Sequence, residues 1–141
     1  MKIPSWVNRY IGIPFRDDGH DYDGCNCWGL CHLVLKNECG IETPSYGELS
    51  AADLLAAARK FRSIVAVETW EKVDDYRAFD CVLMHAMSDD RSLRLPGHVG
   101  ILISPSRVLH VWSKTAAVHM PIDHPRVRNK IIAVYRHKAL A

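Results

Sequence analysis

The chain has 141 residues, 48% of them hydrophobic and 24% charged, which suits one domain, 1–141, with its own hydrophobic core. A net charge of +2 with no block of like charges gives no argument for a nucleic-acid partner. Met1-Lys2-Ile3-Pro4-Ser5-Trp6 begins no long apolar stretch, so neither a signal peptide nor a membrane span is expected, and the protein is expected to be cytoplasmic as synthesised.

Residues 5–11 read as a short helix that Ser5 caps and Gly12 ends, with Trp6, Tyr10 and Ile13 on its buried side. Pro14 to Gly24 reads as a loop. Gly24 and Asn26 then favour a turn, after which Leu30, Leu33 and Val34 recur at helical spacing up to Cys39-Gly40, where Gly40 suits a C-terminal stop. Cys27 therefore falls in the first turn of a helix of about three turns. Unpaired N–H groups and the helix dipole favour a thiolate at that position, and the thiolate is the nucleophile of cysteine chemistry.

Ile41 to Gly47, with Pro44, should be extended. Residues 50–62 form a second helix with Leu54, Leu55, Ala58 and Phe61 as its stripe. From residue 64 onward the pattern changes to strands: 64–67, 79–85, 98–103, 107–112, 117–120 and 131–136, with Ser104-Pro105-Ser106 as a hairpin turn. Helices first and consecutive strands after them argue an α+β fold with an antiparallel sheet of about five strands.

A reactive cysteine needs a base, and the base needs a group to orient it. The hairpin offers both. A turn at 104–106 pairs residue 100 with residue 110, so His98 and His110 become diagonal neighbours on one face. Taken alone, each is an ordinary histidine of a sheet, and Cys27 alone is a small buried hydrophobe. The competing chemistry is metal binding. Cys25, Cys27, Cys31 and Cys39 with His20 and His32 form a loose cluster, but Cys25 and Cys27 are one residue apart and no second pair follows, so no metal is expected. Five cysteines without a signal peptide read as reduced thiols.

Tyr10 to Phe15, Asn26-Cys27-Trp28-Gly29-Leu30, Gly40-Ile41 through Pro44, His98-Val99-Gly100-Ile101 and Leu109-His110-Val111 stand in the order seen in NlpC-type cysteine peptidases, which this chain resembles over nearly its whole length. Those are papain-like cell-wall endopeptidases. The Cys-Trp-Gly variant and the closing Val134-Tyr135-Arg136-His137 are most similar to small members from phage and prophage tail modules. The resemblance implies a papain-like fold, a nucleophile at Cys27, a base at His98 and an orienting residue at His110, with no cofactor. It implies cleavage of peptidoglycan stem peptides, typically between γ-D-glutamate and a diamino acid, with phage tail proteins as possible partners and the virion tail as a possible location.

Two positions depart from the family pattern. Asn26 stands where an Asp is frequent, which removes a negative charge beside the thiol. Phe15 stands where a Tyr hydroxyl often lines the oxyanion site, so the oxyanion would rest on the backbone N–H of Cys27 and other donors. Trp28 is expected to pack the helix at the edge of this region. The rival readings are a structural tail component without turnover and an amidase or acyl transferase that uses the same Cys–His pair.

Overall fold

The computed structural model describes residues 3–17, 19–43, 70–85 and 96–140. The helix expected at 50–62 and the strand at 64–67 lie outside the described residues, as does most of the charged loop 88–97.

The chain opens with a 3-10 helix, Ser5–Arg9. Ser5 lies inside it and does not cap it. Pro4 occupies the N-cap position and makes no side-chain cap bond. The buried side is Val7, Tyr10 and Ile13, with Trp6 only partly covered. Inside the expected loop 14–24 the chain forms a small antiparallel hairpin, β1 (His20–Asp21) and β2 (Gly24–Cys25). Strands of two residues are too short to leave a periodic signal.

The main helix α1 spans Cys27–Cys39 and stops at Gly40, which is left-handed at φ 68°. Its N-cap is Asn26, whose side chain accepts the Gly29 N–H. Every residue from Trp28 to Leu35 is buried, not just the stripe at 30, 33 and 34. The reason is that α1 is covered on more than one side: the sheet packs against it, and so do the β1–β2 hairpin and the N-terminal segment. Leu30, Val34 and Leu35 are fully buried, each worth about 1.5–3 kcal/mol relative to exposure.

Among the described residues the sheet has six strands in the order β3-β8-β4-β5-β6-β7, all pairs antiparallel. They are β3 (Trp70–Val73), β4 (Cys81–His85), β5 (Pro96–Ser104), β6 (Arg107–His110), β7 (Val118–Pro121) and β8 (Ile131–His137). The fold is α+β, as the order of patterns implies, with β3 as an extra edge strand beyond the expected five. Alternation along the strands divides the core. Leu83, Val99, Ile101, Ile103 and Leu109 join the cluster around α1, whereas Val82, Met84, Leu102, Val108 and Val134 form a second cluster with Val127. No helix among the described residues is long and apolar enough to cross a membrane.

One polar interaction ties the sheet's far side together. Asp80, fully buried, accepts from Arg136 through Nε and Nη2, both at 2.8 Å, and from the backbone N–H of Arg77 at 2.9 Å. Arg136 Nη2 also donates to the Asp75 carbonyl at 2.7 Å. A fork on a carboxylate inside the protein is costly to halve, because the survivor keeps an uncompensated charge. Asp80→Ala should therefore cost about 3 kcal/mol in unfolding free energy, the low end for a broken buried pair because Arg136 keeps some access to water. Urea denaturation of both proteins checks this, and a loss below about 1 kcal/mol would show that the pair is worth no more than a surface contact.

Candidate active site

Asn26 sets the start of α1. It is 3% exposed, and its amide works at both ends: Oδ1 accepts the Gly29 N–H at 2.6 Å and Nδ2 donates to the Asp17 carbonyl at 2.9 Å. An ionised Asp could cap the helix but could not donate to Asp17. The Asn therefore suits this loop for a reason separate from the charge beside the thiol. Gly29 lets the hairpin lie on the first helical turn, since a Cβ there would stand 2.0 Å from the Gly19 carbonyl oxygen.

Cys27 follows the cap and is only partly exposed. Its sulfur is surrounded by backbone N–H groups of Cys27, Trp28 and Val99, which pull the thiol pKa down, while burial pushes it up more strongly, to about 11 from the ordinary 9.0. The sequence argument for a thiolate at a helix N-terminus thus meets a stronger opposing effect. The dipole contributes ~0.3–1 kcal/mol, less than a tenfold change in acidity. Burial outweighs it, and the resting group is a thiol. The Val99 contact brings the helix N-terminus against β5 at the residue that follows His98.

On the β5–β6 hairpin, Ile101 pairs with Leu109 and Leu102 with Val108, the register expected from the turn, although a bulge makes Ser104 the partner of Arg107. Carried onward, that register sets residue 100 opposite 110. The result is direct: His98 Nε2 lies 2.8 Å from His110 Nδ1. Gly100 makes room for it, because a Cβ there would stand 2.5 Å from Val108 Cγ2 and 3.1 Å from His110 Cβ. Both imidazoles are buried, at 2% and 0% exposure. Burial holds His98 well below its ordinary pKa, and unfavourable interactions of its charged form with His110 and Lys130 lower it further. Burial, then His124, lowers His110 to about 4. Both rings are neutral at physiological pH.

The remaining expected residues sort by geometry. Trp28 is 2% exposed with its ring 5.9 Å from that of Trp70, so its backbone N–H, not its indole, faces the thiol. Phe15 is half-buried against the core, donates its N–H to the Thr115 carbonyl at 3.0 Å and bridges Cys25. Three of the other thiols have partners: Cys25 donates to the Asp21 carbonyl at 3.1 Å, and Cys31 pairs with Cys81. Among the described residues no group of three or more His, Cys, Asp or Glu is placed to hold a metal ion. His119 accepts instead from Arg107 Nε at 3.0 Å.

The sequence reading missed Trp112. Its ring centroid lies 4.7 Å from that of His110 and 6.2 Å from that of His98. The signal was present: the register that pairs 101 with 109 places 112 across from 98.

No family model matches the chain, and no curated protein does. Solved structures share its fold. An NlpC/P60 family protein from Bacillus cereus is 18% identical with a TM-score of 0.64, covering 91% of this chain and 36% of that one. A protein similar to lipoprotein, of the NLP/P60 family, from Staphylococcus aureus is 17% identical with a TM-score of 0.61, covering 91% and 37%. The chain thus spans little more than a third of the length of these two. The NlpC/p60 domain of the peptidoglycan hydrolase SagA is 16% identical with a TM-score of 0.58, covering 92% of each chain. The architecture described above is that of the NlpC/P60 papain-like fold.

Since burial dominates the thiol, Cys27 should remain protonated at neutral pH in the free protein and ionise near pH 11. The difference in absorbance at 240 nm between the protein and Cys27→Ser, followed against pH, isolates this group from the other four cysteines. A midpoint below 7 would show a preformed thiolate and overturn the assignment of burial as the stronger effect.

Proposed function

We propose that the chain is a cysteine peptidase acting on peptidoglycan stem peptides, with Cys27 as nucleophile, His98 as base and His110 as its orienting partner, and that its 141 residues form one catalytic domain. The observation that carries this reading is the His98 Nε2–His110 Nδ1 contact on the strand against which Cys27 rests. The NlpC/P60 fold supports the substrate class, since one solved neighbour is a domain of a peptidoglycan hydrolase.

The mechanism follows from which nitrogens are occupied. His98 Nε2 is engaged with His110, which leaves Nδ1 as the atom to take the Cys27 proton. Because the resting thiol and imidazole are both neutral, the proton moves as the sulfur attacks the peptide carbonyl, not before. The backbone N–H groups around Cys27 and Trp28 receive the developing oxyanion, a role for which Phe15 has no donor. Collapse of the intermediate breaks the C–N bond, His98 gives its proton to the leaving amine, and a thioester remains on Cys27. Water, deprotonated by His98, then hydrolyses the thioester and restores the thiol. The γ-D-glutamyl–diamino acid bond is the proposed target, and a phage tail the proposed setting.

A second reading, a structural tail component with the same fold, draws on Phe15 and on the high thiol pKa. Digestion of purified peptidoglycan with identification of fragments by mass spectrometry separates the two. New free termini are expected from the protein and none from Cys27→Ala. His98→Ala should lose about 10²–10⁴ in rate, as expected for a positioned base. His110→Asn should retain more than His110→Ala, and His98→Ala/His110→Ala should be scarcely worse than His98→Ala, because members of one unit are not additive. Unchanged muropeptides with the intact protein would favour the structural reading.

A further inference from the structure

The His98–His110 contact admits two arrangements of one proton. If His110 Nδ1 carries it and donates to His98 Nε2, then neutral His98 has its own proton on Nδ1, the nitrogen that must receive the Cys27 proton, and the base is blocked. If His98 Nε2 carries it and donates to His110 Nδ1, then His98 Nδ1 is free, and the proton of neutral His110 sits on Nε2. His110 is fully buried, and its Nε2 has no hydrogen-bond partner among the described residues. An N–H left unpaired inside a protein is costly, so the second arrangement needs something to receive it.

Among the described residues, one ring beyond the pair stands close to His110: Trp112, with centroids 4.7 Å apart and planes tilted by 45°. Its backbone is tightly held. The Trp112 N–H donates to Thr115 Oγ1 at 3.0 Å, and the Thr115 N–H donates to the Trp112 carbonyl at 3.0 Å. That turn keeps Lys114 in the left-handed region at φ 65°, a strain that persists only where the surroundings enforce it. Its Thr115 carbonyl accepts the Phe15 N–H at 3.0 Å, which anchors it to the N-terminal segment. The indole is therefore presented to the histidine pair by a rigid support. An aromatic face receives an N–H weakly but favourably.

We propose that Trp112 is a positioning residue that holds the His98–His110 pair in its competent tautomer, with the indole face receiving the His110 Nε2–H. This rests on the assignment of His98 as the base. Among the described residues, Lys130 bears on His98 and His124 bears on His110.

Long-range proton–nitrogen NMR of the full chain labelled with ¹⁵N-histidine at neutral pH reads the tautomers directly. In the unmodified protein both His98 and His110 should carry the proton on Nε2. Trp112→Phe, which keeps a ring face, should leave this unchanged. Trp112→Leu should move the His110 proton to Nδ1 and slow peptidoglycan hydrolysis by about tenfold at unchanged KM, the population change that an unsatisfied buried N–H of ordinary cost produces. A His110 proton on Nδ1 in the unmodified protein would overturn the proposal even if the leucine variant failed to fold. So would a folded Trp112→Leu with both tautomers as before. The NMR result does not depend on turnover, so an inactive protein would count against the peptidase reading and leave this one to be decided by the spectra.

Discussion

The contact between His98 and His110 is the constraint on which the rest of the site depends. Two imidazoles meet at 2.8 Å because the hairpin keeps a register that sets Ile101 opposite Leu109. A slip of one residue would turn one ring to the other face of the sheet. The register is secured by burial: Ile101, Leu102, Val108 and Leu109 are all fully buried, and they alternate between two separate cores. A slipped strand would send these apolar side chains to the wrong core, at a cost of several kcal/mol. The bulge at Ser104 lets the turn depart from the simple pattern without disturbing the pairing further in.

The second constraint is how α1 meets that hairpin. The helix begins where Asn26 both accepts from Gly29 and donates to Asp17, and its first turn lies under the β1–β2 hairpin because Gly29 has no side chain. This brings the Cys27 sulfur to the N–H of Val99. The same close packing that positions the thiol also desolvates it, as it desolvates both histidines. Positioning and charge separation pull in opposite directions here. The site favours neutral partners at rest; in the proposed mechanism, charge appears only when a substrate oxygen and the backbone donors share it.

Much of this was legible in the residues. The α1 boundaries follow from Cys27 to Gly40, and the His98–His110 pairing follows from counting through Ser104-Pro105-Ser106, because local periodicity and a short turn carry that information directly. The unread parts need information from elsewhere in the chain. Trp70–Val73 has only its two ends buried, so it shows no alternation; it is a strand because β8 supplies its edge. Asp80 and Arg136 lie 56 residues apart, and nothing local marks either as buried. The acidity of Cys27 is not legible in sequence, because a helix N-terminus is visible there and the depth of packing around a sulfur is not. Trp112 could have been found, since the register that joins the histidines reaches it as well.

The claim that Cys27 is the nucleophile of this unit is tested most directly by trapping the thioester. A stem-peptide substrate is mixed with the protein, quenched in acid at short times, and the protein is mapped by mass spectrometry. The acyl fragment should appear on the peptide that contains Cys27, form far more slowly in His98→Ala, and be absent from Cys27→Ser. An acyl group on Cys25 or another side chain, or release of product by Cys27→Ser at the unmodified rate, would contradict the account.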